Sequence, residues 1–128
     1  MPASTAVVNT GRSIITNRII GAGTEPKYLA VGTSSTGVAL GDTALGAEVE
    51  TRATCTSSRT TTSSTNDTVS WVGTITATGS RTIAEVGLLD ASSSGNLFVR
   101  GVLASTVTLA SGDSITVTAT VQVTSSVV

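Results

Sequence analysis

Two stretches of the chain alternate between apolar and polar residues with a period of two. In VSWVGTITAT, Val69, Trp71, Gly73, Ile75 and Ala77 share one face, while Ser70, Val72, Thr74, Thr76 and Thr78 share the other. In SITVTATVQV, Ile115, Val117, Ala119, Val121 and Val123 alternate with Ser114, Thr116, Thr118, Thr120 and Gln122. Successive strand side chains point to opposite faces, so each pattern predicts a strand with one face on a core. Ser111-Gly112-Asp113 marks a turn before the second.

Residues 82–89 and 97–103 are apolar at odd and even positions alike, which predicts strands covered on both faces. The DASSSGN between them has the composition of a hairpin loop. Shorter strands are expected at 27–32 (KYLAVG), 47–56 and 106–109. In the second, Val49, Ala53 and Cys55 alternate with Glu48, Glu50, Arg52 and Thr54. Residues 13–20 (SIITNRII) read as one short helix, because Ile15 and Ile19 lie a helical turn apart. Asn9-Thr10 is the expected cap and Gly21 the expected stop. Residues 42–45 read as a helical turn, and 56–68 as strand continuation followed by exposed loop. Six to eight short strands with turn signals between them predict an all-β fold: a β-sandwich of jelly-roll kind with one short N-terminal helix. No repeat of 20 to 50 residues points to a solenoid or propeller.

Composition sharpens this picture. The 128 residues suit one domain, and serine and threonine dominate the polar positions, as a pleated half-buried surface favours. The expected division is an N-terminal arm at 1–10 and a single domain at 11–128. Net charge is −1 and the seven cations are scattered, so nothing draws the chain to nucleic acid or an acidic membrane. No apolar run approaches the ~20 residues of a membrane helix, and the N-terminus lacks the pattern of a secretory signal. Cys55 is the only cysteine, expected as a small buried residue.

Candidate chemistry is thin. With no histidine, a serine or cysteine nucleophile lacks its usual base, and a zinc site lacks ligands. The carboxylates that invite attention are Glu48, Glu50, Glu85 and Asp90. Glu48, Glu50 and Arg52 are expected together on a solvated sheet face. Asp90 with Ser92, Ser93, Ser94 and Asn96 offers oxygen ligands but one acid, short of what calcium usually takes. Asp90 is instead expected to cap its own loop. Asn66-Asp67-Thr68 matches a glycosylation triplet, which counts only for a secreted chain. No glycine-rich segment matches a phosphate loop. No catalytic residue, cofactor or metal site is therefore expected.

The order of signals resembles a group of small structural proteins of tailed-bacteriophage virions. The resemblance rests on NTGRSIITNRII, YLAVGTSSTGVALGDTALGAE, VSWVGTITATGSRTIAEVGLLDASSSGNLFVRGVL and LASGDSITVTATVQV. Its most specific part is IAEVGLLDASSSGNLFVR. It spans roughly residues 9–123. Members are described as head decoration (cement) proteins or as tail-fibre-like proteins. The compact length favours the cement role: a homotrimer on the head surface, bound to the major capsid protein and assembled in the host cytoplasm. The alternative is a tail-fibre or baseplate subunit that binds host glycan. Pro2, Ala3, Ser4, Thr5, Ala6, Val7 and Val8 are small and uncharged, and are expected to form an extended arm contacting the capsid or neighbouring subunits.

The hairpin at 83–100 carries the sharpest structural expectation. A register with Leu88 opposite Leu97 sets Gly87 opposite Phe98, leaving room for the ring. It also sets Glu85 opposite Arg100 as a partly buried ion pair. Trp71, on the apolar face of its strand, is expected in the core rather than as a sugar platform.

Overall fold

The computed structural model describes residues 3–127. The elements run β1 (Ser4–Val7), α1 (Asn9–Ile19), β2 (Tyr28–Gly32), β3 (Glu48–Thr54), β4 (Thr56–Thr60), β5 (Thr68–Thr76), β6 (Arg81–Leu89), β7 (Leu97–Leu109) and β8 (Ser114–Gln122). Strands β1-β7-β6-β2-β3 form a five-stranded sheet, and β4-β5-β8 a three-stranded one. All pairings are antiparallel. The all-β sandwich with one short helix is thus the observed architecture.

The main core lies between the sheets. Leu29, Val31, Ile83 and Leu88 of the larger sheet meet Trp71 and Ile75 of the smaller. Trp71 is buried as expected, with its ring edge-on to Phe98 at a centroid distance of 5.4 Å. Cys55 is buried at the corner where the chain passes from β3 to β4. Burial pushes its thiol pKa up. A second apolar cluster, Val8, Ala30, Leu45, Leu89 and Leu97, lies on the opposite face of the larger sheet. Its cover comes from the segment between β2 and β3, which supplies Leu45 and Val38. That is why β6 and β7 are apolar on both faces.

Several local expectations change. The expected arm is strand β1, paired from Ser4 to Val7 with residues 99–102 of β7. Val8, at its end, is fully buried. The segment is therefore an edge strand of the domain, held to β7 by its backbone ladder. Pro2 lies outside the described residues. The helix starts earlier than 13, at Asn9, and Val8 is its N-cap without a side-chain bond. Thr10 does not cap; its hydroxyl donates to the Leu97 carbonyl at 2.6 Å and ties α1 to β7.

Gly21 does end the helix, with φ +77°, where a side chain is strained. Its N–H bonds to the Arg18 carbonyl and that of Ala22 to Asn17, the paired bonds of a Schellman stop. Residues 42–45 form no helical turn. The strand expected at 106–109 is the far end of the 13-residue β7, continuous with 97–103.

Candidate functional site

The densest polar constellation is built on the β6–β7 hairpin. Within it, Gly87 stands opposite Arg100, Leu88 opposite Val99 and Glu85 opposite Val102. The expected register is therefore displaced by two residues. A shift of two keeps the side chains from Val99 to Val102 on their expected faces. Glu85 and Arg100 become diagonal neighbours and still meet: Arg100 Nε donates to Glu85 Oε1 at 2.9 Å.

One residue of the displacement is already present at the loop, where Leu89 rather than Leu88 faces Leu97, and a bulge beside it, where Leu88 faces Val99, adds the second. Phe98 is the extra residue. It turns to the inter-sheet core against Trp71, away from Gly87. Gly87 makes room for a different side chain. A Cβ there would stand 2.8 Å from Leu45 Cδ2 and 3.0 Å from the Val99 carbonyl. The glycine thus admits the segment between β2 and β3, rather than the phenylalanine ring.

Glu85 is fully buried and accepts four hydrogen bonds. Oε1 takes the Gly46 N–H at 2.8 Å as well as Arg100; Oε2 takes the Ala47 and Ser34 N–H groups at 2.8 and 3.1 Å. Burial alone would raise the carboxyl pKa. The donors Gly46, Ala47, Arg100 and Ser34 together outweigh it and hold the group below the usual glutamate range. Arg100 is equally buried, and spends its remaining donors on the same segment. Nη1 reaches Asp42 Oδ2 at 3.1 Å and the Gly37 carbonyl at 3.3 Å; Nη2 reaches the Thr36 carbonyl at 2.9 Å. Asp42 in turn accepts the Ala39 N–H.

One ion pair therefore fastens both ends and the middle of a long segment without regular structure. Five of its backbone groups, the Ser34, Gly46 and Ala47 N–H and the Thr36 and Gly37 carbonyls, find their partners in this pair. Every charge faces a charge or a backbone dipole, which is a structural use of carboxylate and guanidinium. Asp42 and the Ser34, Gly46 and Ala47 amides complete the network. Sequence reading missed their part in it, although Asp42 lay in the DTALGAE run that carried the resemblance.

The other acids are similarly occupied. Glu48, Glu50 and Arg52 do not share a solvated face. Three residues of β3, Glu50 to Arg52, bulge opposite the single Ala30 of β2, with Glu50 at φ +65°. Arg52 grips Glu48 with two bonds of 2.8 and 3.0 Å, and donates to the Ala91 and Ser94 carbonyls of the DASSSGN loop. Glu50 swings away to Thr78 and Arg81. The Thr78 N–H, the Thr78 hydroxyl and Arg81 lower its pKa against the opposing effect of burial. Asp90 closes its own loop as expected, accepting the Asn96 N–H at 2.6 Å and the Asn96 amide at 3.0 Å. Asp67 caps the loop after β4. The N–H groups of Ser64 and Thr62, then the Gln122 amide and the Ser63 N–H, hold it well below the usual carboxylate range.

The aromatic inventory bears on ligands. Trp71 and Phe98 are buried, and Tyr28 is half-buried at the start of β2. The exposed apolar side chains are aliphatic: Ile19 and Ile20 at the end of α1, Leu40, Val72, Val107, Val123 and Val127. Glu85 and Arg100 are the buried charged residues among those described, while the exposed face of the smaller sheet is rich in threonine.

A family model described as Podophage GP4 fiber I protein gp80 matches residues 14–125. The chain belongs to this family. The chain is accordingly a structural protein of a phage virion, as the quoted motifs implied. The family's description favours the fibre alternative over the decoration role expected from compact length. The matched span begins within α1 and runs past β8, so it takes in the hairpin and the whole Glu85–Arg100 network. No curated protein and no solved structure matches the chain.

Proposed function

We propose that this chain is a structural subunit of a podophage fibre, located at the tail rather than on the head surface. The observation that carries the reading is the family match over residues 14–125. Two structural features support it. Glu48, Glu50, Asp67, Glu85 and Asp90 are each engaged by backbone amides, arginines or neighbouring polar side chains. Trp71 and Phe98 are buried, so stacking of a sugar on either face is closed to them, and the role is scaffold rather than glycan reader. The partners in this reading are other fibre chains; the major capsid protein has no part.

Immunogold labelling of intact virions with an antibody against the folded domain tests this directly. Gold on the tail appendages is the expected result. Gold spread over the head would reinstate the decoration role. A glycan array run on the purified domain should be blank; a saturable hit would restore host-glycan binding.

A further inference from the structure

Helix α1 closes one end of the sandwich incompletely. Between it and the smaller sheet runs a groove of about 390 Å³. Trp71 and Phe98 are its floor, Ile15 and Ile19 of α1 one wall, and Val121 of β8 with Val123 just beyond it the other. Both walls are fixed in place. The Thr10 hydroxyl ties α1 to the Leu97 carbonyl, and the Val123 N–H bonds to the Asp67 carbonyl at 2.9 Å. Ile19 and Val123 stand at the mouth, 78% and 70% exposed. Ile20, the C-cap of α1, is as exposed as Ile19 but lines no part of the groove, so it projects beside it. Contiguous exposed apolar surface of this kind marks a contact. Trp71 gives a second sign that one chain leaves the site incomplete: its indole N–H is buried without an acceptor among the described residues.

Two charged side chains line the groove, and they are of opposite sign: Arg18 and Glu25. Arg18 is exposed and engages the Ala22 and Gly23 carbonyls through Nη1 alone; Glu25 is half-buried. Neither forms an ion pair among the described residues. A patch that carries a hole, a projecting isoleucine, a cation and an anion meets all of its complements in a copy of itself turned about a two-fold axis. A rim of one sign, or a groove without a projecting neighbour, would call for a different partner.

We propose that two copies of this chain join across this groove as a closed two-fold dimer. Ile20 of each copy enters the groove of the other, and Arg18 of each faces Glu25 of the other. Apolar burial supplies the affinity, and the charged rim fixes the orientation. This inference is separable from the tail location. The chain can label on the tail and still be a monomer in solution, or the reverse.

The test uses the full chain. Sedimentation equilibrium from micromolar to millimolar concentration should show a dimer of twice the 12.7 kDa chain mass. The emission of Trp71, the single tryptophan, should change over the same range. Ile20→Asp should weaken the dimer by about tenfold or more, with an unchanged circular dichroism spectrum. At low salt, Arg18→Glu and Glu25→Arg should each weaken it alone, because each brings like charges together. An equimolar mixture of these two variants should dimerise more tightly than either, because both contacts are then attractive. Damage to the fold would not give that recovery. A full chain that stays monomeric or forms a trimer, an Ile20→Asp dimer of undiminished strength, or a mixture no tighter than its components would each overturn the proposal.

Discussion

The two sheets show opposite ways of using polar residues. The larger sheet is covered on both faces, and its second cover is an irregular segment whose backbone must be satisfied by buried charge. The smaller sheet has one dry face and one wet face. On the wet face, Thr74 pairs with Thr116 and Thr76 with Ser114, hydroxyl to hydroxyl, in solvent. Polar groups inside the first region are few and each holds several partners. Those on the second are many and each holds one. The lesson is that the larger sheet is sensitive to the loss of either member of one buried pair, whereas the smaller sheet depends on its apolar face.

The comparison is broken most severely by removing one partner of the buried pair. Arg100→Met leaves the Glu85 carboxylate without its counter-charge, at a cost of about 3–5 kcal/mol, and Tm should fall by about 10 °C or more. Glu85→Ala should lower Tm by several degrees at least, because it also strips four donors. The double variant Glu85→Leu/Arg100→Met should be milder than the sum of the two singles. Additive losses in calorimetry would mean that the two side chains act independently.

Next in size is the dry face of the smaller sheet. Ile75 is 3% exposed against the inter-sheet core. Ile75→Ala should cost roughly 2–4 kcal/mol by chemical denaturation. A neutral result would place the energetic core in the larger sheet alone.

Acid sharpens the contrast further. Glu85 has a folded pKa below its ordinary 4.5, so the unfolded chain takes up its proton first as pH falls. Its contribution is complete above that value, and is lost as pH drops through it toward the folded pKa. Asp67 and Glu50 act in the same direction. Tm should be level from neutral pH to about 5 and decline below. In Glu85→Gln the decline should be shallower, and an unchanged slope would assign acid sensitivity to Asp67 and Glu50. The smallest effect belongs to the wet face. Thr116→Val should change stability by no more than about 0.5 kcal/mol.

What was legible in the sequence follows the same division. Regular alternation located β5 and β8 almost to the residue, because a sheet with one wet face writes its pleat into the sequence. The apolar runs located β6 and the start of β7 and showed that both faces are covered, but not by what. The cover is a segment with no periodicity, and its path is set by side chains far away at Glu85 and Arg100. The ion pair itself was visible, since a diagonal contact survives a two-residue change of register. The bulge that sends Phe98 to Trp71 was not, because bulges change the count on one strand without leaving a turn residue. Glu50 was misplaced for the same reason, by a bulge opposite Ala30. The first residues read as an arm because four small side chains carry too little pattern to declare a strand; only β7, late in the chain, gives them a partner.

That pairing of β1 with residues 99–102 sets an order in time. During synthesis residues 4–7 leave the ribosome long before their partner, and they wait until residues 99–102 have emerged. The Val8 pocket, too, is incomplete until Leu89 and Leu97 arrive. Closure of so distant a contact is slow relative to local structure. The larger sheet is thus complete only once β7 has been made, and a ribosome stalled before β7 would hold a half-formed sheet with its first strand still unplaced.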